Sequence, residues 1–280
     1  MVQAKLRQQA SRVLGRQELL FAPLILLYGG LLVLPIIIVI KMSLANGFES
    51  YEKVLSSRIF VRVVENTIVV SVTTTVITVI FGYLLAALLW KTQGWKRLLV
   101  LGFVLLPFWT SVLIKNFAWT FLLQDNGVIN VILMGIGLTD HPTQLLHNRF
   151  AVIVGMVHYL LPYAVFPIFT SMLTIDSRLD NAAKSLGASA ASVFWHVTLP
   201  LTRQGIYASA LLIFIISASF YVTPVILGGP SQMMVSNMVD YYTNSVVDFG
   251  AASALSIIIL LGASVFIAIY MWLPKEGQHG

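Results

Sequence analysis

Residues 181–200 read NAAKSLGASAASVFWHVTLP, a short stretch dense in alanine, glycine and serine and closed by a proline. The apolar runs on either side are each long enough to cross a membrane, so the stretch reads as a compact connector between two spans. The whole chain supports that reading. Of its 280 residues 58% are hydrophobic and 10% are charged, and its mean hydropathy is +0.88. A soluble domain carries about 25% charged residues, so this chain lacks the polar surface to face water on all sides. The apolar residues gather in runs of about 20, the length a helix needs to cross a hydrocarbon core of about 30 Å. The fold class expected is an all-α integral membrane protein, in which backbone groups in lipid are satisfied within each segment.

Six runs emerge, at residues 20–41, 63–90, 98–122, 150–174, 204–226 and 250–272. Residues 1–19 form a basic segment ahead of the first. That first run continues to Ile40 with no small-residue cleavage site after it, so it reads as an uncleaved span rather than a leader. Prolines 35, 107, 162, 167 and 224 fall inside or near the ends of spans, where each removes a backbone donor and permits a kink. With the first residues inside, eleven of the seventeen Lys and Arg lie on the cytoplasmic side, and Glu49, Glu52, Glu65, Asp125, Asp140, Asp240 and Asp248 lie on the other. The positive-inside rule therefore predicts both termini in the cytoplasm, and an even number of spans agrees. It also puts residues 177–200 inside, in the longest cytoplasmic connection. On the outer side, VINVILMGIGL (128–138) is too short to span and reads as an interfacial or re-entrant helix.

Composition also excludes mechanisms. There is no cysteine, hence no disulfide and no thiolate chemistry. The net charge of +6 follows membrane topology, and no nucleic-acid partner is expected. The middles of the spans carry no Asp or Glu, the groups that proton- or sodium-coupled transport relies on. The phosphate-cradling pattern G-x-x-x-x-G-K-S/T is missing, and no Gly-Lys pair occurs anywhere. The five histidines, at 141, 147, 158, 196 and 279, are scattered, so neither a catalytic constellation nor a metal site is expected. The energy for any transport is then expected from another subunit.

Residues 177–200 read as a short helix followed by a turn. Ala182, Ala183, Ala188, Ala190 and Ala191 favour helix, and Gly187 permits close approach of another backbone. Val193, Phe194 and Val197 offer an apolar face, and Pro200 allows a new helix to begin. Physics alone leaves two readings open, a docking element for a soluble partner or a solvated connector. The residues also carry a motif. Asn181-Ala182-Ala183, three residues, Gly187, nine residues and Val197-Thr198-Leu199-Pro200 resembles the E-A-A–x3–G–x9–I-x-L-P signature of the permease subunits of ABC importers. Asn181 replaces the glutamate and Val197 the isoleucine; losing the carboxylate puts one charge contact in doubt.

The resemblance implies a six-transmembrane-helix type I ABC importer permease fold in a bacterial inner membrane. It also implies a role for the loop formed around Asn181, Ala182, Ala183, Gly187, Val197, Leu199 and Pro200, as the coupling helix that docks on a cytoplasmic ATPase. The implied partners are a second permease, usually a different chain, two ATPase subunits that use ATP and Mg, and an extracytoplasmic solute-binding protein. This chain would bind no cofactor and catalyse no reaction.

LLPFWTSVLIKNFAWTFLLQDNGVINVILMGIGL (105–138), FYVTPVILGGP (220–230) and DFGAASALS (248–256) resemble the spermidine/putrescine permease branch. Permeases for ferric iron, phosphonates, opines, 4-aminobutyrate and amino acids share much of this pattern, so the resemblance points to a branch more firmly than to a solute. A polyamine would prefer aromatic faces and carboxylates. Trp109, Trp119, Tyr159, Tyr163, Phe220 and Tyr221 supply candidate faces, and Asp240 and Asp248 negative potential near the outer mouth. Each has a plainer alternative, as interfacial anchor, helix packing or solvated loop charge. Lys115 points the other way: beside the pathway it suits an anion or zwitterion, and otherwise it snorkels to the interface. His158 is a pathway candidate or a hydrogen-bonded bundle residue.

Overall fold

A computed structural model describes residues 23, 27–176, 178, 179, 185 and 187–272. Among them every regular element is helical: α1 (Leu27–Ser43), α2 (Glu49–Leu55), α3 (Arg58–Lys91), α4 (Gly94–Trp109), α5 (Val112–Leu123), α6 (Val128–Gly135), α7 (Arg149–Leu173), α8 (Ala190–Ala218), α9 (Val222–Leu227), α10 (Val235–Asp240) and α11 (Phe249–Trp272). Five stretches are long and apolar enough to cross a membrane: Arg58–Lys91, Val112–Gly135, Arg149–Leu173, Ala190–Ala218 and Phe249–Ala268; Leu27–Ser43 is apolar but shorter. The basic segment 1–19 and the start of the first run lie outside the described residues.

The centre of the bundle is the packing of α3, α7 and α8 on one another. Small residues set their separation, as membrane helix packing requires where lipid competes equally for apolar surface. Gly82 of α3 faces the Ala164 methyl of α7 so closely that a Cβ there would collide with it. One turn further along α7, a Cβ on Gly205 of α8 would lie 2.6 Å from the Pro167 carbonyl oxygen. Ser209 joins the same crossing, its hydroxyl donating to the Ala164 carbonyl at 3.1 Å. Pro167 also lacks an N–H, which leaves the Tyr163 carbonyl without its donor in the helix. The buried face of α3 is rich in hydroxyls; Thr67 and Thr75 donate to the carbonyls of Val63 and Ser71 one turn back.

Two expected spans are discontinuous. The run at 98–122 is α4 and α5, separated at Thr110–Ser111, and the run at 204–226 is α8 and α9, separated at Ser219–Tyr221. Both breaks lie near prolines, Pro107 and Pro224. Pro200 lies in the first turn of the α-helical stretch Leu199–Ala218, and the structure carries the helix back to Ala190, capped by Ser189, whose side chain accepts from Ser192 N–H. A π-helical turn at Phe194–Thr198 passes the Leu199 N–H to the Phe194 carbonyl, and the helix runs on through the proline.

At one end of the bundle, α2 and α10 pack on the start of α11 around Val54, Met238, Tyr242 and Leu255. Lys53 Nζ meets Asp248 Oδ2 at 2.6 Å, and the other Asp248 oxygen accepts from the Ala251 N–H, capping α11. α1 contributes little to this packing: Leu31, Leu32 and Leu34 are more than half exposed.

Candidate functional site

The two helix breaks meet. Asn116 of α5 and Thr223 of α9 bond each other through both side chains, Asn116 Nδ2 donating to Thr223 Oγ1 at 3.1 Å and that hydroxyl facing Asn116 Oδ1 at 3.2 Å. Gly155 of α7 lets both come close, since a Cβ there would lie 2.9 Å from the Thr223 methyl. Discontinuous helices expose carbonyl and amide groups at depth, which is where membrane transporters place polar sites.

Lys115 lies at this junction and is 6% exposed. Its ammonium is held by the protein. From the first turn of α5 its chain reaches back across the break, and Nζ donates to the Pro107 carbonyl at 2.6 Å. That carbonyl is one of the last in α4, without an intrahelical partner and at the negative end of the helix dipole. The same Nζ sits 4.5 Å from the Tyr159 ring centroid. No carboxylate is among its bonded partners. An ionised lysine at depth costs about 2.5–3.5 kcal/mol on insertion scales. A charge-assisted hydrogen bond of about 1.5–3 kcal/mol and a cation–π contact of about 0.5–2 offset it.

Tyr159 belongs to a chain of rings. It lies 6.0 Å from Tyr163 and 5.0 Å from Phe220, and Tyr163 lies 5.9 Å from Phe108. Beside them Trp119 Nε1 donates to His158 Nδ1 at 3.0 Å, which puts the proton of a neutral His158 on Nε2. Pro162 lacks the N–H that would bond the His158 carbonyl, leaving one more acceptor nearby. The structure thus brings Lys115, Trp119, His158, Tyr159, Tyr163 and Phe220 into one neighbourhood. Tyr221 turns away from it, its hydroxyl within electrostatic reach of Asp240, which also accepts from Asn244 at 2.6 Å. Trp109 is 84% exposed at the end of α4 and touches the ring chain only edge-on through Phe108.

The sequence reading did not single out Asn116, Thr223 or Asn130. Asn130 is fully buried in α6: its amide donates to the carbonyls of Gln124 and Thr143, and its oxygen accepts from the Thr143 N–H at 2.9 Å. An asparagine inside VINVILM was the available signal, because a buried amide must find partners. The loop it pins continues to His147, which has a positive φ of 58° and abuts Gly228 and Gly229 beyond α9.

Asn181, Ala182 and Ala183 lie outside the described residues. Gly187 has φ +85°, a left-handed conformation that glycine adopts without cost, and among the described residues a Cβ added there meets no atom within 4 Å. Val193 and Phe194 face inward instead of offering a free apolar surface. Val193 is buried, and Phe194 stacks edge-on against Tyr83 at 5.8 Å, in a cluster with Leu89, Val104, Ile168 and Leu199. The amphipathic start of α8 is satisfied by the chain's own core. Val197 is half-buried in the π turn, Pro200 is exposed, and Trp195 is 61% exposed.

Comparison with known proteins defines the class. Residues 78–276 match the family described as binding-protein-dependent transport system inner membrane component. The chain belongs to that family, the permease subunits of ABC importers, and is a transport subunit of the inner membrane. It is similar to the spermidine/putrescine transport system permease protein PotB of Haemophilus influenzae, at 31% identity over 221 residues, covering 78% of this chain and 77% of that one. PotB of Escherichia coli is 29% identical over 78% of this chain and 80% of its own. The ferric transport system permease protein FbpB of Actinobacillus pleuropneumoniae is 25% identical over 81% of this chain and 33% of its own. Among solved structures, a bacterial alginate ABC transporter in complex with its alginate-bound periplasmic protein aligns with a TM-score of 0.80 at 20% identity, covering 92% of this chain and 94% of that one. That likeness speaks for the fold alone.

Proposed function

We propose that this chain forms half of the translocation pathway of an ATP-driven importer of polyamines, putrescine- or spermidine-like. The observation that carries the solute class is the similarity to PotB over more than three quarters of the chain. The ring chain Phe108–Tyr163–Tyr159–Phe220 supports it, because a flexible polycation is well held by aromatic faces. In this reading the chain crosses the inner membrane six times with both termini in the cytoplasm, α1 being the first span.

A second permease, a different chain in this reading, completes the pathway. Two ATPases bind the cytoplasmic face, and a binding protein delivers solute outside. Residues 177–200 act as the coupling helix. ATP binding closes the ATPases and draws the two coupling helices together, opening the bundle outward; hydrolysis with Mg resets it. The chain itself performs no covalent chemistry.

A second reading keeps the mechanism and changes the solute to a zwitterion or anion such as an amino acid, opine, 4-aminobutyrate or phosphonate. The observation favouring it is Lys115, a buried cation at the helix breaks. ATPase activity of the reconstituted transporter with its binding protein separates the two. Stimulation by putrescine or spermidine alone supports the first; stimulation by 4-aminobutyrate, an amino acid or 2-aminoethylphosphonate and not by polyamines overturns it.

A further inference from the structure

A buried lysine in a pathway for cations needs an account, and its surroundings supply one. The groups that hold Lys115 Nζ are a backbone carbonyl at 2.6 Å and the face of Tyr159 at 4.5 Å. Both are neutral, and neither is specific to lysine: they recognise a primary ammonium by its charge and its N–H donors. A carboxylate would hold the lysine in a lasting ion pair, whereas these ligands release it easily, as conduction through a pathway requires. Resting on the polyamine reading above, we propose that Pro107 O and the Tyr159 face form an ammonium subsite of the pathway. Lys115 is its tethered occupant, displaced when a terminal ammonium of the carried amine enters.

The surrounding geometry fits exchange. Two cations within one aromatic pocket repel strongly where water is scarce, so occupancy by Lys115 and by substrate is mutually exclusive. The displaced ammonium has somewhere to go, because the lysine stem is flexible and starts in the first turn after the Thr110–Ser111 break. Nζ bonds α4 while its Cα belongs to α5, so any pivot at that break changes the hold on Lys115. The rest of the substrate has a track: the rings of Tyr163 and Phe220 lie 6.0 and 5.0 Å from that of Tyr159. The empty-handed transporter then keeps its own subsite filled, which blocks small organic cations from leaking through.

The test is putrescine binding to the assembled transporter in nanodiscs, without ATP and without binding protein. Lys115→Met vacates the subsite and is expected to bind putrescine about tenfold more tightly than the wild type, the worth of one cation–π contact. Lys115→Arg behaves as wild type. Adding Tyr159→Leu to Lys115→Met abolishes the gain, and Tyr159→Phe does not. Equal binding by wild type and Lys115→Met overturns the proposal, as does loss of thermal stability in Lys115→Met with no change in amine binding, which marks Lys115 as a helix cap only. If Lys115→Met does not assemble, Tyr159→Leu alone decides. Its KM for putrescine in coupled uptake should rise severalfold while Tyr159→Phe stays at the wild-type value, and an unchanged KM refutes the subsite. The polyamine reading fails separately, if the wild-type transporter with its binding protein takes up 4-aminobutyrate and no polyamine. Loss of that uptake in Lys115→Met would make Lys115 a carboxylate partner.

Discussion

Gly187 separates two explanations of the motif glycine that sequence alone merges. One is backbone conformation: at φ +85° an L-residue pays about 1–2 kcal/mol that glycine does not, and asparagine pays less. The other is space, which a side chain would take from a docked partner. Among the described residues no atom lies within 4 Å of a Cβ at this position, so a steric effect of a larger residue is expected from a docked partner. The conformational cost alone, at about 1.4 kcal/mol per factor of ten, weakens ATPase association about fivefold to thirtyfold in Gly187→Ala. Gly187→Asn should recover most of that loss. Gly187→Arg carries the same backbone cost plus the clash and should abolish binding-protein-stimulated ATPase activity in proteoliposomes. The permease itself should remain folded in all three, with melting temperatures within a few degrees of wild type. Full coupling in Gly187→Arg would refute docking at this loop. Equal loss in Gly187→Ala and Gly187→Arg would leave the left-handed turn as the whole role of the glycine.

Gly205→Val drives a branched side chain into the Pro167 carbonyl, a backbone group that cannot rotate away, and should cost about 1–3 kcal/mol, read as a lowered melting temperature of the purified permease. Asn130→Ala strands the N–H and the carbonyl of Thr143, while the Gln124 carbonyl keeps the Gly127 N–H, and should cost about 1–3 kcal/mol; faster proteolysis within residues 139–148, with the rest of the chain protected, is the expected signature. The Asp248 carboxyl is held below its usual value, first by the Ala251 N–H and then by Lys53. A depressed acid stabilises the fold above its unfolded value of about 4, and that contribution disappears as pH falls through its folded value. Lys53 is raised by the same pair, so its contribution is complete below its ordinary value and is lost only at strongly alkaline pH. Melting temperature should therefore drop between pH 5 and acid values below about 4, and Asp248→Asn should flatten that drop. A slope unchanged by Asp248→Asn would assign it to other acids.

The fold was legible wherever the sequence carries long apolar runs, because a helix is the only way such a run satisfies its backbone in lipid. The breaks were not. Thr110 and Ser111 are small and mildly polar, and in LLPFWTSVLIK they read as part of one run. Only the tertiary pairing of Asn116 with Thr223 shows that two interrupted helices face each other. The pathway candidates fared unevenly for the same reason. Tyr159, Tyr163 and His158 share one stretch of α7, and four residues separate Lys115 from Trp119 on α5, so their grouping follows from helical spacing. Phe220 joins them through the break after Ala218, whereas Tyr221, one residue on, is turned towards Asp240. The apolar pattern of Val193 and Phe194 was visible, but whether it faces a partner or the chain's own core depends on where α8 begins. Ser189 sets that start through a cap bond.

These particulars bear on how movement entering at one end could reach the other. The contacts between α3, α7 and α8 at Gly82, Ala164, Gly205 and Ser209 leave no slack, and close-packed small residues do not deform gradually. Phe194 and Leu199, at the start of α8, are set into the same body through Tyr83 and Ile168. On the proposed mechanism a push on the loop before Ser189 therefore turns that body as a unit. Strain is relieved where the chain is already interrupted, at Thr110–Ser111 and Ser219–Tyr221, and those two points flank Lys115 and Tyr159. Stiffening one of them is the direct check. Replacing Ser111 with alanine leaves the α5 cap position without its hydroxyl yet keeps the break, and should change little. Deleting Thr110 and Ser111 together rotates α5 by about 200° relative to α4, at about 100° per residue, and removes Lys115 from Tyr159. A deletion variant that assembles and still couples ATP hydrolysis to uptake would show that the break is not where the movement is absorbed.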